Sequence, residues 1–216
     1  MRNIQIAVDG PASSGKSTVA KIIAHDLDIT YLDTGAMYRA ATLVSLEKGT
    51  SGFLEIIEFL QKNPIGFDKM QVLLGTRDIS QVIRGNDVTA KVSEISAIPE
   101  IREFMVREQR RIAAGQSIIM DGRDIGTVVL PDADLKIFLI ADAAERAERR
   151  YKENLQRGIP SDLETLKAEI IARDKYDSSR KVSPLKAADD AIVYDTTGKT
   201  IQEVVDFIEN KAKALN

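Results

Sequence analysis

The chain has 216 residues, 44% of them hydrophobic, which suits one α/β domain, or one domain with an inserted subdomain, better than several independent domains. Thirty basic and 33 acidic residues leave a net charge of −3 with the one histidine neutral, so there is no global positive field to hold a polynucleotide, and nucleic acid is excluded as the main partner. The lack of cysteine excludes a disulfide framework, thiolate metal sites and thiol catalysis, and it suits the reducing cytoplasm.

From the amino terminus, Ile4 to Val8 reads as a short buried strand. It runs into Asp9 and Gly10 rather than a small-residue cleavage site, so a strand is expected here and not a signal peptide. A Gly/Pro/Ser loop follows. Val19, Ala20, Ile22, Ile23 and Leu27 then recur at helical spacing as far as about Asp28, and a second strand is expected at Tyr31-Leu32. Between Gly49 and Ile98 the texture changes: a helix at Phe53 to Leu60, a break at Pro64-Ile65-Gly66, and alternating strands near Phe67 to Leu74 and at Gln81-Val82-Ile83. This region reads as a small α+β insertion. Arg102 to Arg111 forms a helix with four arginines, and strands are expected at Ile118 to Met120, Leu135 to Ile140 and Ala191 to Tyr194. The run from Arg146 to Arg157 is a second cationic helix, leading into a loop at Gly158-Ile159-Pro160. Five short strands separated by long crossovers predict a five-stranded parallel sheet in an α/β fold. The apolar run Ile137 to Ala141 falls far short of the roughly 20 residues of a spanning helix, so no membrane association is expected.

Gly10-Pro11-Ala12-Ser13-Ser14-Gly15-Lys16-Ser17 matches G-x-x-x-x-G-K-[ST] between a buried strand and an amphipathic helix, the context this phosphate-binding loop requires. Its backbone amides and helix N-terminus suit phosphate oxygens, Lys16 suits the β/γ charge, and the Ser17 hydroxyl suits Mg²⁺. With Thr18, these residues form the expected ATP site. Such a loop leaves open a switch GTPase, a motor or ATPase, and a small-molecule kinase. The guanine-reading Asn-Lys-x-Asp is missing, since Asn210-Lys-Ala-Lys213 lacks the aspartate, and Asp195-Thr-Thr-Gly198 lies after the last strand, where a turn is expected. Asp33 to Arg39 leaves the second strand and is expected to expose Thr34 and Arg39 at the carboxyl edge of the sheet; Asp121 to Gly126 leaves another strand in the same way. Guanidinium groups grip phosphate bidentately, which favours the kinase reading. His25 is expected on a helix surface.

Together, Asp9 to Ser17, Leu32 to Arg39, Asp121 to Val129, Arg173 to Arg180 and Pro184 to Ala191 resemble the bacterial cytidylate kinases over nearly the whole length. The resemblance implies a nucleoside monophosphate kinase core at about 1–48 and 99–216, a monophosphate-binding insert at about 49–98 and an arginine-rich lid at about 145–165. It implies transfer of the ATP γ-phosphate to CMP or dCMP with Mg²⁺, by a monomer. Thr34, Arg102, Asp124 and Arg180 would surround the cytosine, Ser93, Arg173 and Asp177 would address the pentose, and Arg39 and Arg123 would hold the acceptor phosphate. Lys16, Arg39, Arg123 and the lid arginines Arg146, Arg149 and Arg150 would be the catalytic cations. A carboxylate at position 124 is independently the natural acceptor for the cytosine amino group. A kinase for UMP, AMP or a non-nucleotide acceptor, or a nucleotide-dependent binding switch, is the alternative.

Overall fold

In the computed structural model, which describes residues 3–68 and 71–215, the short β-branched runs form strands and the amphipathic stretches between them form helices. In chain order these are β1 (Gln5–Asp9), α1 (Lys16–Asp26), β2 (Thr30–Asp33), α2 (Thr34–Lys48), α3 (Phe53–Lys62), β3 (Ile65–Asp68), β4 (Gln71–Leu74), β5 (Arg77–Asp78), α4 (Asn86–Ile95), α5 (Pro99–Ala113), β6 (Ile118–Gly122), β7 (Leu135–Ile140), α6 (Ala143–Gln156), α7 (Leu163–Ser178), β8 (Ile192–Asp195) and α8 (Ile201–Lys213). Two compact units are built from them: Met1–Tyr31 with Ala113–Asn216, and Leu32–Ile112.

The first unit is organised by a five-stranded sheet in the order β2-β6-β1-β7-β8, as the five strand-like runs predict. β1 lies at its centre, pairing in parallel with β6 (Val8 opposite Asp121) and with β7 (Val8 opposite Ile137). Strands flanked on both sides need apolar residues on both faces, and β1 and β6 are accordingly buried along nearly their whole length. One face packs Ile6, Val8, Ile119, Ile137 and Leu139 against Val19 and Ile23 of α1 and Val204, Val205 and Ile208 of α8. Each such side chain contributes about 1.5–3 kcal/mol on leaving water. The Tyr194 and Phe207 rings stack at 3.9 Å between β8 and α8. Asp195 to Gly198 is a turn, as expected, in which the Thr197 amide donates to the Asp195 carboxylate. No helix of the described residues is long and apolar enough to cross a membrane.

The second unit packs α2, α3, α4 and α5 with the antiparallel sheet β3-β4-β5 around Met37, Ile56, Leu60, Ile79, Ile83, Ile95, Ile101 and Met105. Two expectations are corrected there. Gln81-Val82-Ile83 is not a strand: Val82–Arg84 is a single 3₁₀ turn closed by the Arg84 amide on the Gln81 carbonyl. Three alternating residues without a neighbouring strand satisfy their backbone more cheaply by local bonds, and Ile83 is buried from that turn. Thr34 is not exposed at a sheet edge. It is the first residue of α2 and only 3% exposed, because the Asp33 side chain caps the helix on the Ala36 amide and starts it directly after the strand. The strands expected near Phe67 to Leu74 are β3 and β4, with 69 and 70 outside the described residues.

Candidate active site

The loop between β1 and α1 starts with Gly10 at φ +147°, where a Cβ would lie 2.1 Å from the Leu139 carbonyl oxygen; only glycine fits. It ends at Gly15, φ +91°, which stands at the cap position of α1 without a side-chain cap, and the first turn of that helix carries no acidic residue. The N-terminal amides and positive dipole end of α1 are therefore left for an anion. Lys16 is 5% exposed and folds back onto the loop, its Nζ donating to the Pro11 carbonyl at 2.6 Å and to Ser14 Oγ at 3.3 Å. Burial, followed by the nearby Arg123 guanidinium, holds this ammonium well below its ordinary range, while Asp121 and Asp9 act in the opposite sense. A phosphate bound in the loop would stabilise the ammonium that burial disfavours, so the residues present fit a nucleotide triphosphate. Ser17 Oγ donates to Asp121 Oδ2 at 2.7 Å, and Tyr31 Oη donates to Asp121 Oδ1 at 2.7 Å. Hard oxygens at the helix start match the preference of Mg²⁺.

At the carboxyl end of β6, Arg123 donates through Nε to Asp177 Oδ2 at 3.3 Å and through Nη1 to the Gly122 carbonyl at 3.2 Å. Asp177 on α7 is almost fully buried and gathers three guanidiniums: Arg123, Arg180 through a short hydrogen bond, and Arg173 at 3.9 Å. Arg173 and Asp177, four apart, share one face of α7, and Arg180 reaches Asp177 from just past the end of that helix. Arg123 and Arg173 both bear on the Lys16 ammonium, so the expected donor and acceptor cations of this unit share one electrostatic neighbourhood. Asp124 is 4% exposed at the start of a π turn, Ile125–Val129.

The expected lid arginines, all on α6, differ in what they hold. Arg146 is buried, donating to the Ala141 carbonyl at 2.9 Å, to the Ala12 carbonyl of the phosphate loop at 3.1 Å, and to Asp174 at 2.7 Å. Arg149 donates to the Thr196 carbonyl and hydroxyl and pairs with Glu145. Arg150 reaches the loop through Ser13 Oγ at 3.2 Å.

Within the second unit, α2 carries Thr34 and, five residues on, Arg39, whose Nη1 donates to the Ile83 carbonyl at 3.1 Å and to Thr89 Oγ1 at 2.8 Å. Ser93, half-buried, lies one turn beyond Thr89 on α4 and thus on the same helix face. Arg102 is 3% exposed, donates to the Ser96 carbonyl at 3.0 Å just past α4, and stands over the Tyr38 ring, one turn from Thr34. Arg39 thus joins α2 to α4 and Arg102 joins α5 to α2 and to the end of α4, while Thr34 and Ser93 lie one turn from Tyr38 and Thr89 on the same helices. His25 is exposed beside Asp26, as expected.

Asp9, Asp121, Tyr31, Asp174 and Thr196 take part in these arrangements and carry no role in the sequence reading. Asp9 is the least expected. It is 5% exposed and accepts from the amides of Ile125 at 2.8 Å and Gly126 at 2.7 Å. Burial pushes its carboxyl up from 3.8 to about 6; those two amides and Lys16 oppose the rise, and Asp124 adds to it. The available signal was a carboxylate at a strand end directly before the glycine of the loop.

Residues 6–214 match the family profile described as Cytidylate kinase. The chain is 67% identical to the cytidylate kinase of Lactococcus lactis subsp. lactis over 219 aligned positions, covering 100% of both chains. It is 63% identical to the cytidylate kinase of Streptococcus pyogenes, covering 100% of this chain and 98% of the relative. A crystal structure of an uncharacterized protein from Eubacterium ventriosum shares the fold, with a TM-score of 0.58 at 15% identity over 99% of each chain.

Proposed function

Because the chain belongs to the cytidylate kinase family and is a phosphotransferase, we propose that it transfers the γ-phosphoryl group of ATP to CMP and dCMP, giving CDP or dCDP and ADP. The observation that carries this reading is the convergence of Arg123 and Arg173 on the buried Asp177 in the unit that holds the phosphate loop, which suits two phosphates brought close against mutual repulsion. The loop from Gly10 to Thr18 would bind the donor phosphates through its amides and Lys16. Ser17 Oγ, oriented by Asp121, would hold Mg²⁺, which when bound supplies charge neutralisation of the donor phosphates.

The acceptor phosphate falls to Arg39 and Arg123, the base to Thr34, Arg102, Asp124 and Arg180, and the pentose to Ser93, Arg173 and Asp177. The acceptor needs no general base, since a phosphate monoester has a second pKa near 6 and is largely dianionic at neutral pH. Positioning and positive charge do the work, with Arg149 and Arg150 adding charge beside the loop and helping to exclude water. We place the protein in the cytoplasm, in keeping with its cysteine-free composition, and read it as a monomer. ADP release measured with CMP, dCMP, UMP and AMP offered singly tests the reading. CMP and dCMP should lead by orders of magnitude. Preference for UMP or AMP, or ATP turnover without a phosphorylated product, would overturn it.

A further inference from the structure

Asp124 occupies the cap position of the π turn Ile125–Val129, with φ −145° and ψ 25°, yet its side chain makes no capping bond. The first amides of a helical turn have no partner inside it and need one outside. Here both are taken by a residue 116 and 117 positions away: Ile125 donates to Asp9 Oδ1 and Gly126 to Asp9 Oδ2. The backbone of Asp9 also lies opposite Gly122 in the parallel register of β1 and β6. Arg123 and Asp124 are therefore a two-residue bridge fastened at both ends to the same residue.

We infer that Asp9 is a positioning residue for acceptor recognition: it acts as a remote cap that fixes the Arg123–Asp124 bridge and spares the Asp124 side chain from capping its own turn. This rests on the reading that Arg123 and Asp124 address the acceptor nucleotide. The chemistry of the side chain supports it. With a carboxyl pKa near 6, Asp9 is ionised at neutral pH, and each oxygen then accepts from one amide. An asparagine would keep the shape but turn an amide donor toward a backbone donor, releasing one end of the turn. Asp9 follows on from the buried Val8 and precedes Gly10, so the same residue that ends the strand into the phosphate loop also sets the bridge.

The test is Asp9→Asn beside Asp124→Asn. Hydrogen exchange at the Ile125 and Gly126 amides should quicken in Asp9→Asn, KM for CMP should rise about tenfold, the loss expected for one hydrogen bond, and the CMP:UMP ratio of kcat/KM should fall. KM for ATP should stay within about twofold. A residue that only supports the fold would lower the amount of active protein, and so kcat, without moving either KM or the ratio. Quicker exchange with an unchanged KM for CMP and an unchanged ratio, while Asp124→Asn narrows the CMP:UMP preference, would overturn the role of Asp9 and leave the acceptor assignment standing. An unchanged preference in Asp124→Asn would overturn both. If Asp9→Asn does not fold, Asp9→Ser, which keeps one short acceptor, is held to the same criteria.

Discussion

Replacing Arg146 with alanine separates two roles that its place among the arginines of α6 leaves confounded. The guanidinium is buried, and three groups depend on it: the carbonyls of Ala141 and Ala12 and the carboxylate of Asp174. Asp174 is mostly buried, and its second oxygen, Oδ1, has no hydrogen-bond partner among the described residues, so without Arg146 the charge is stranded. Breaking a buried pair from one side costs about 3–5 kcal/mol, most of it the penalty of the remaining charge. Set against a total stability of about 5–15 kcal/mol, that is a large share. With an m-value near 2.5 kcal/mol/M, the urea midpoint should drop by about 1.6 M. The double variant Arg146→Ala with Asp174→Ala removes the stranded charge and should recover roughly half of the loss. Arg150→Ala, whose side chain is partly exposed and reaches Ser13 and a distant Glu153, should stay within about 0.5 kcal/mol of the parent. Equilibrium urea unfolding followed by circular dichroism reads all three. An Arg146→Ala protein with an unmoved midpoint and a kcat reduced about a thousandfold would refute the reasoning and make Arg146 a cation that serves the reaction directly.

Lys16→Ala removes a buried ammonium that burial already disfavours, so its unfolding midpoint should equal or exceed the parent's while kcat falls by about 10³ or more; a parental kcat would remove Lys16 from the chemistry. In Asp124→Asn, CMP turnover should fall and the CMP:UMP ratio of kcat/KM should shrink by about tenfold or more, because an amide can donate to the uracil oxygen; a preserved ratio would show that this residue does not read the base. Arg149→Ala with Arg150→Ala should lower kcat and raise ATP hydrolysis in the absence of acceptor, measured as phosphate release, and an unaltered kcat would leave these arginines as surface charge. Asp9 gives a pH signature. Its pKa is about 6 folded against 3.8 in the open chain, so the folded state holds the proton more tightly, and the parent loses about 2 kcal/mol relative to Asp9→Asn as pH rises from 4 to 6; parallel pH profiles of unfolding for the two proteins would contradict it.

The strands of the main sheet and the phosphate loop were legible because each is written in adjacent residues: β-branched runs bounded by turns, and eight positions with fixed glycine, lysine and serine. The arrangement of the site was not. The bonds that place Arg123 and Asp124 run from Asp9 across 116 and 117 positions, and the bond from Arg146 to the loop spans 134. No periodicity encodes such a pairing. The arginines of α6 look alike in sequence, and only burial distinguishes the clamp at Arg146 from its neighbours at 149 and 150. The 3₁₀ turn at Val82–Arg84 was missed for a related reason, since three alternating residues carry too little pattern to choose between a strand and a turn.

The abutment of Gly10 on Leu139 leaves no mechanical clearance between the mouth of the phosphate loop and the backbone of β7. What occupies the gap is a carbonyl, so the side chain at 139 can vary without disturbing the joint while the strand's axial setting cannot. β7 is set by Val8 opposite Ile137, and a slip of one residue would turn the carbonyl that now faces Gly10 to the other side. The length of the connection from Pro131 to Asp134, which lies partly at the surface, bears on that axial setting. Deleting a single residue there would misplace the loop's first glycine without altering any side chain that meets phosphate.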